Sequence, residues 1–247
     1  ASSMDDAAKA KSESDALAKH NEATEDLKEA AAAGSEVADV LSKDPALAED
    51  AKTVAEISKV VEEMGNGGKV DGETLDKAIT DTKAEIEKLK KDHPEEAAKL
   101  EEMLTKLEEA KAADQESHAA ESNAAAIDAS QAADEKAGEV AAEVKKVENA
   151  LIDAGLKADA DAVAKMREDL ANPETSGADL VSDAKAAHEL AARLKESNPE
   201  LAAEIEAMAS SMDDAAKAKS ESDALAKHNE ATEDLKEAAA AGSEVAD

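Results

Sequence analysis

The sequence predicts an all-α protein, and three observations carry that reading. The large apolar residues recur at steps of three and four. Proline and glycine are few, 4 and 9 in 247 residues, and nearly all stand where an apolar series starts or stops. Strict alternation and clusters of β-branched or aromatic residues, the marks of strands, are missing.

Taken in order, the helix signals begin with a long alanine-rich stretch that Gly34-Ser35 is expected to end. Asp44-Pro45 then supplies an N-cap with proline at the first helical position. Leu47, Val54, Ile57, Val61 and Met64 form one stripe, and Gly65-Asn66-Gly67-Gly68 reads as a loop. Asp71 is the expected N-cap of the next helix, whose stripe is Leu75, Ile79, Ile86 and Leu89. His93-Pro94 restarts the chain with Leu100, Met103, Leu104 and Leu107. Val140, Val144, Val147 and Leu151 lead to Gly155, the expected C-cap. Val163, Met166 and Leu170 follow, then a loop over 172–177 and a heptad-like series Leu180, Ala184, Ala187, Ala191 and Leu194. Asn198-Pro199 opens the last helix with Leu201, Ile205, Met208 and Met212. Each stripe lies on one helix face and has to be buried against neighbours.

Residues 1–39 and 209–247 are one string without a substitution, ASSMDDAAKAKSESDALAKHNEATEDLKEAAAAGSEVAD. Natural repeats drift, so an unblemished copy points to a constructed gene. A second, diverged repeat lies inside. Gly34, Gly138 and Gly242 stand 104 residues apart, and HPEEAAKLEEM at 93–103 matches NPELAAEIEAM at 198–208 in role and partly in identity. The expected organisation is therefore two diverged units of about 104 residues joined by long helices. Residues 1–39 are a first copy of the long helix and its turn, 40–137 and 138–241 are the units, and 242–247 is a tail.

The long helices carry few large apolar residues. Between Glu108 and Ala137 there is only Ile127, and after Met4 or Met212 only Leu17 and Leu27, or Leu225 and Leu235. Alanine, about a quarter of the chain, gives high helicity without a core. The three segments 5–33, 108–137 and 213–241 are expected to associate as a thin bundle. The polar small-residue stretches read either as a buried hydrogen-bond network that sets pairing or as a face left in water; Asn21, Thr24, Asn123 and Gln131, uncommon on an exposed surface, favour the network.

A formal charge of −32 disfavours nucleic acid and anionic lipid surfaces and makes copies repel one another. With no Cys there is no disulfide framework and no thiolate metal site. No apolar run approaches membrane length and no leader is visible, so the sequence predicts a soluble protein, cytoplasmic when expressed.

Chemistry-bearing motifs are weak. MGNGGKVDGETLDKAI, residues 64–79, superficially follows a calcium-binding loop. It is one residue short, with Gly68 in place of a carboxylate and Thr74 in place of the bidentate Glu. His20, His93, His118, His188 and His228 form no pair at metal spacing. Asp114 and His118 share a helix face, but no Glu precedes a His by three residues, as di-metal carboxylate bundles require. The serines lie on alanine-rich helices or at caps such as Ser35 and Ser243, away from turns that could present a nucleophile. No catalytic, cofactor or metal residue is assigned, and no enzyme activity is expected.

The Asn-Pro-Glu and Asp-Pro-Ala helix starts, the Glu/Lys/Ala surfaces and the duplicated end resemble computationally designed α-helical proteins. A period near 104 residues with helices continuing between units also resembles the spectrin repeat, without its aromatic core and with Gly and Pro breaks it lacks. Those resemblances imply a structural protein or mechanical spacer. The sequence requires no partner. Self-association or protein binding through the alanine-rich helices is the alternative it carries.

Overall fold

A computed structural model describes residues 2–67 and 70–244, with the side chains of residues 2, 3, 233 and 235–244 left undescribed. Among the described residues helix is the only regular structure. The helices are α1 (Ser2–Leu41), α2 (Ala48–Gly65), α3 (Gly72–Leu89), α4 (Pro94–Asp153), α5 (Lys157–Ala171), α6 (Gly177–Leu194) and α7 (Pro199–Glu244), with a 3-10 turn Pro45–Leu47 before α2.

The starts are the ones the capping chemistry calls for. Asp44 accepts from the Ala46 N–H at 2.9 Å, and Asp71 accepts from the Thr74 N–H at 3.0 Å. Ser176 and Asp179 form a reciprocal capping box at the start of α6. The hydrogen bonds from Ser176 hold the Asp179 carboxyl below its usual range. Gly67 and Gly155 take positive φ, 98° and 76°, where a side chain would be strained. Gly68 of the expected loop and residues 245–247 of the expected tail lie outside the described residues, as does the side chain of Leu235.

Three expected boundaries fall inside helices. α1 runs through Gly34 and past 39/40, α4 through Gly138 and past 137/138, and α7 past 241/242 to Glu244. At Gly34 the reason is packing. A Cβ there would stand 2.2 Å from Ser58 Oγ and 2.7 Å from Met103 Sδ, so glycine is what lets three helices close on one another. At Gly138 nothing lies within 4 Å of a Cβ. Its helix penalty of about 1 kcal/mol is outweighed by flanking alanines and by the buried stripe that follows.

The chain forms two compact units, residues 11–121 and residues 1–10 with 122–247. In the first, Leu27, Val37 and Leu41 of α1 pack with Val54, Ile57 and Val61 of α2. Leu75, Ile86 and Leu89 of α3 and Leu100, Met103 and Leu107 of α4 complete that core. In the second, Val140, Val144 and Leu151 of α4 meet Val163 and Met166 of α5. Leu180, Ala184, Ala187 and Leu194 of α6 and Ile205, Met208 and Met212 of α7 complete it. With no aromatic residue to fill space, the helices approach closely. At the extreme, a Cβ on Gly177 of α6 would meet the Ser220 backbone of α7 at 2.6 Å.

Candidate interface: the duplicated helix

The 39-residue string supplies most of α1 and all of α7 after its first ten residues, and its two copies are covered differently. In the first copy the later part is buried. Ala16, Ala23, Leu27, Ala30 and Ala31 are at most 5% exposed. In the second copy the earlier part is buried, with Met212 at 0%, Ala215 at 1%, Ala216 at 0% and Ser222 at 5%. The counterparts reverse. Met4 is 79% exposed, Ala7, Ala8 and Ser14 are exposed, and so are Ala224, Ala231 and Asp234.

The first copy lies along α4 through polar contacts as well as alanine packing. Ser117 Oγ, itself buried, donates to the Ala16 carbonyl at 2.9 Å. Lys19 bridges Glu22 and Glu116, both at 2.9 Å. Lys106 gathers Glu109, Asp26 and Glu29 at 2.9–3.1 Å. The hydrogen bonds that Lys19 donates to Glu22, then Glu116, raise its pKa, and those that Lys106 donates to Glu109, Asp26 and Glu29 raise that of Lys106. Gly65 of α2 admits the backbone of Lys28, which a Cβ there would meet at 3.2 Å. Near the start of α1, Lys9 pairs with Asp128 at 2.7 Å and Gln131 donates to Asp6 at 3.2 Å.

The second copy is anchored at the start of α6. The Gly177 N–H donates to Asp223 at 3.0 Å, and Lys219 donates to the Pro173 carbonyl at 3.3 Å. Farther along α7, Asn229 and Ser122 of α4 exchange two hydrogen bonds. Ser122 Oγ donates to Asn229 Oδ1 at 2.5 Å, and Asn229 Nδ2 donates to the Ser122 carbonyl at 3.1 Å.

The expected polar network is smaller than the sequence suggested. Asn21 is exposed, Thr24 Oγ1 bonds the His20 carbonyl of its own helix, and Asn123 is half-buried. Of the four, Gln131 reaches across to another helix, donating to Asp6 of α1. The pairing falls to Ser122 and Asn229 instead, because those two face each other across helices. Asp114 and His118 meet as their spacing requires, with His118 Nδ1 2.9 Å from the Asp114 carbonyl oxygen.

Four charged sites were not legible in the sequence. His188 of α6 sits between two α7 carboxylates, with Nε2 2.9 Å from Asp213 and Nδ1 3.0 Å from Glu206. The Asp213 bond, then the Glu206 bond, raises its pKa. Their seven-residue spacing puts Glu206 and Asp213 on one face, but only the fold brings His188 there. Asp183 of α6 keeps one oxygen buried without a hydrogen-bond partner. Burial, then the charge of Asp169 on α5, pushes its pKa up to about 6. Glu148 is held below its usual range by Lys145 and Arg167, which lie 2.9 and 3.0 Å away. Glu85 is 2% exposed with Lys88 on one oxygen and no partner on the other.

Among the described residues no three His, Asp or Glu groups converge as metal ligands, and no helix is long and apolar enough to cross a membrane. A groove between α6 and α7 is lined by His188, Ala191, Lys195, Pro199, Ala202 and Glu206. Both His188 nitrogens in it are already engaged by carboxylates. No family model, curated protein or solved structure matches the chain.

Proposed function

We propose that the chain is a structural protein, a helical array with no substrate, in which a unit of about 104 residues is used twice and then continued. The observation that carries the reading is the duplicated helix. One sequence serves as a core element in two different places, which suits a part that links successive cores and does not suit a ligand site. The order of elements adds support. Each core takes a long-helix end, two short helices and the start of another long helix, in that order. The strongest polar clusters, at Lys106, His188 and Glu148, join helices to one another. A constructed origin belongs to the same reading and rests on the unblemished copy.

Hydrogen exchange on the isolated chain tests the reading. Amides under both cores are expected to be protected with nothing added. Cores that exchange freely in the isolated chain and gain protection only when a partner protein is supplied would replace it with a binding module that folds on its target.

A further inference from the structure

The two settings of the duplicated string suggest what covers its open face. Ala224, Lys227, Ala231 and Asp234 lie at steps of three and four on one side of α7, and all four are exposed. Ser222 and Asn229, which are covered or bonded within their own unit, sit about 200° away around the helix. In the first copy the counterparts of the open four are Ala16, Lys19, Ala23 and Asp26. There Ala16, Ala23 and Asp26 are buried and Lys19 is paired, against α4. The surface that fits this face is thus already present in the molecule, occupied by the same residues in the same order.

We propose that a second copy of this chain is the partner, joined head to tail: the part of α7 from residue 224 to its end in one copy takes the place that residues 16–36 of α1 hold in the other. Asp234 then meets Lys106, Lys227 meets Glu116, Ser117 donates to the Ala224 carbonyl, and Ala231 fills the position of Ala23. Because the side chains are identical, the incoming helix can regain the contacts that the departing one makes with α4 through Lys19 and Asp26, while the contacts of Lys9 with Asp128 and Asp6 with Gln131 are given up. The balance is set by protein concentration and by repulsion between chains of charge −32. Near its start the helix that leaves buries no large side chain, Met4 being 79% exposed, and is tied by Lys9 to Asp128 and by Asp6 to Gln131.

The proposal rests on the structural reading above, and cysteine trapping separates the two. The chain has no Cys, so one population carries Ser117→Cys and another Ala224→Cys. Mixed under mild oxidation, they are expected to form a disulfide-linked pair of the two populations, in yield that rises with protein and salt concentration. Ala226→Cys, on the other side of the helix, is expected to give little. No pair with Ala224→Cys, or equal yields from both positions, overturns the proposal. The structural reading survives that result if both cores stay protected from exchange. Sedimentation of the unaltered chain is the second measurement. Concentration-dependent association supports the pairing, and a monomer at every concentration and salt level overturns it.

Discussion

Gly177 lies so close to Ser220 that a single added methyl group would stand 2.6 Å from the Ser220 nitrogen and 2.7 Å from its Cα. The contact is with backbone, which cannot swing aside. Gly177→Ala is therefore expected to lower stability by about 1–3 kcal/mol through overpacking. Gly34→Ala should act in the same direction, because Ser58 Oγ, 2.2 Å from the added group, is fixed by its bond to the Val54 carbonyl. Gly138→Ala, a helix-interior change into open space, should stabilise by roughly 0.5–1 kcal/mol. Urea midpoints of the three variants check this. A stabilising Gly177→Ala would show that α6 and α7 do not cross there.

Asp183 ties stability to mild acidity. Its folded pKa, about 6, lies above the ordinary aspartate value of 3.8. The folded state therefore binds the extra proton, and the stabilisation it brings is lost as pH rises from about 4 through 6. Asp183→Asn removes that loss. At pH 7 the variant should be more stable by on the order of 1–2 kcal/mol, and the gap should close near pH 4. Lys165 partly offsets the Asp169 charge. Thermal melts across pH 4–8 read the difference, and a constant gap would contradict the assignment.

His188 pulls the same way at higher pH. Its pKa is raised by Asp213 and Glu206. Its contribution is then complete below the ordinary histidine value of 6.5 and disappears as pH climbs past the raised folded value. His188→Ala should cost on the order of half a kcal/mol at pH 6, as a part-exposed ion pair does, and close to nothing at pH 9. Equal losses at both pH values would mean that His188 only packs.

A charge of −32 should make the folded chain sensitive to ionic strength. Most of its carboxylates are exposed and repel one another over distances that salt shortens to about 8 Å at 0.15 M. The melting midpoint is expected to rise from low to moderate sodium chloride. A falling midpoint would mean that bridges such as Lys106 with Asp26 and Glu29 outweigh that repulsion.

Much of the fold was legible before any coordinates. Asp44, Asp71, Pro94, Gly155 and Pro199 mark boundaries with chemistry that acts within a few residues, so the sequence alone places them. The apolar stripes likewise name the buried faces of α2, α3, α5 and α6. Gly34 and Gly138 were misleading because a glycine inside a helix has no local signature for close packing. Its meaning depends on Ser58 and Met103 in one case and on open space in the other. The Ser122–Asn229 pair and the His188 clamp join residues 107 and 25 positions apart. No spacing rule reaches across helices whose pairing is not yet known. For the duplicated string, sequence identity hid the main fact, which is that identical residues lie in unlike surroundings.

That difference is tested most directly at Met4 and Met212, the same position of the two copies. Each is replaced by alanine in turn, and unfolding is followed in urea. Met212 is fully buried and Met4 is 79% exposed. Met212→Ala should lower stability by about 2–4 kcal/mol, and Met4→Ala should leave the midpoint where it was. Equal effects at the two positions would contradict the account that one helix sequence serves two different settings.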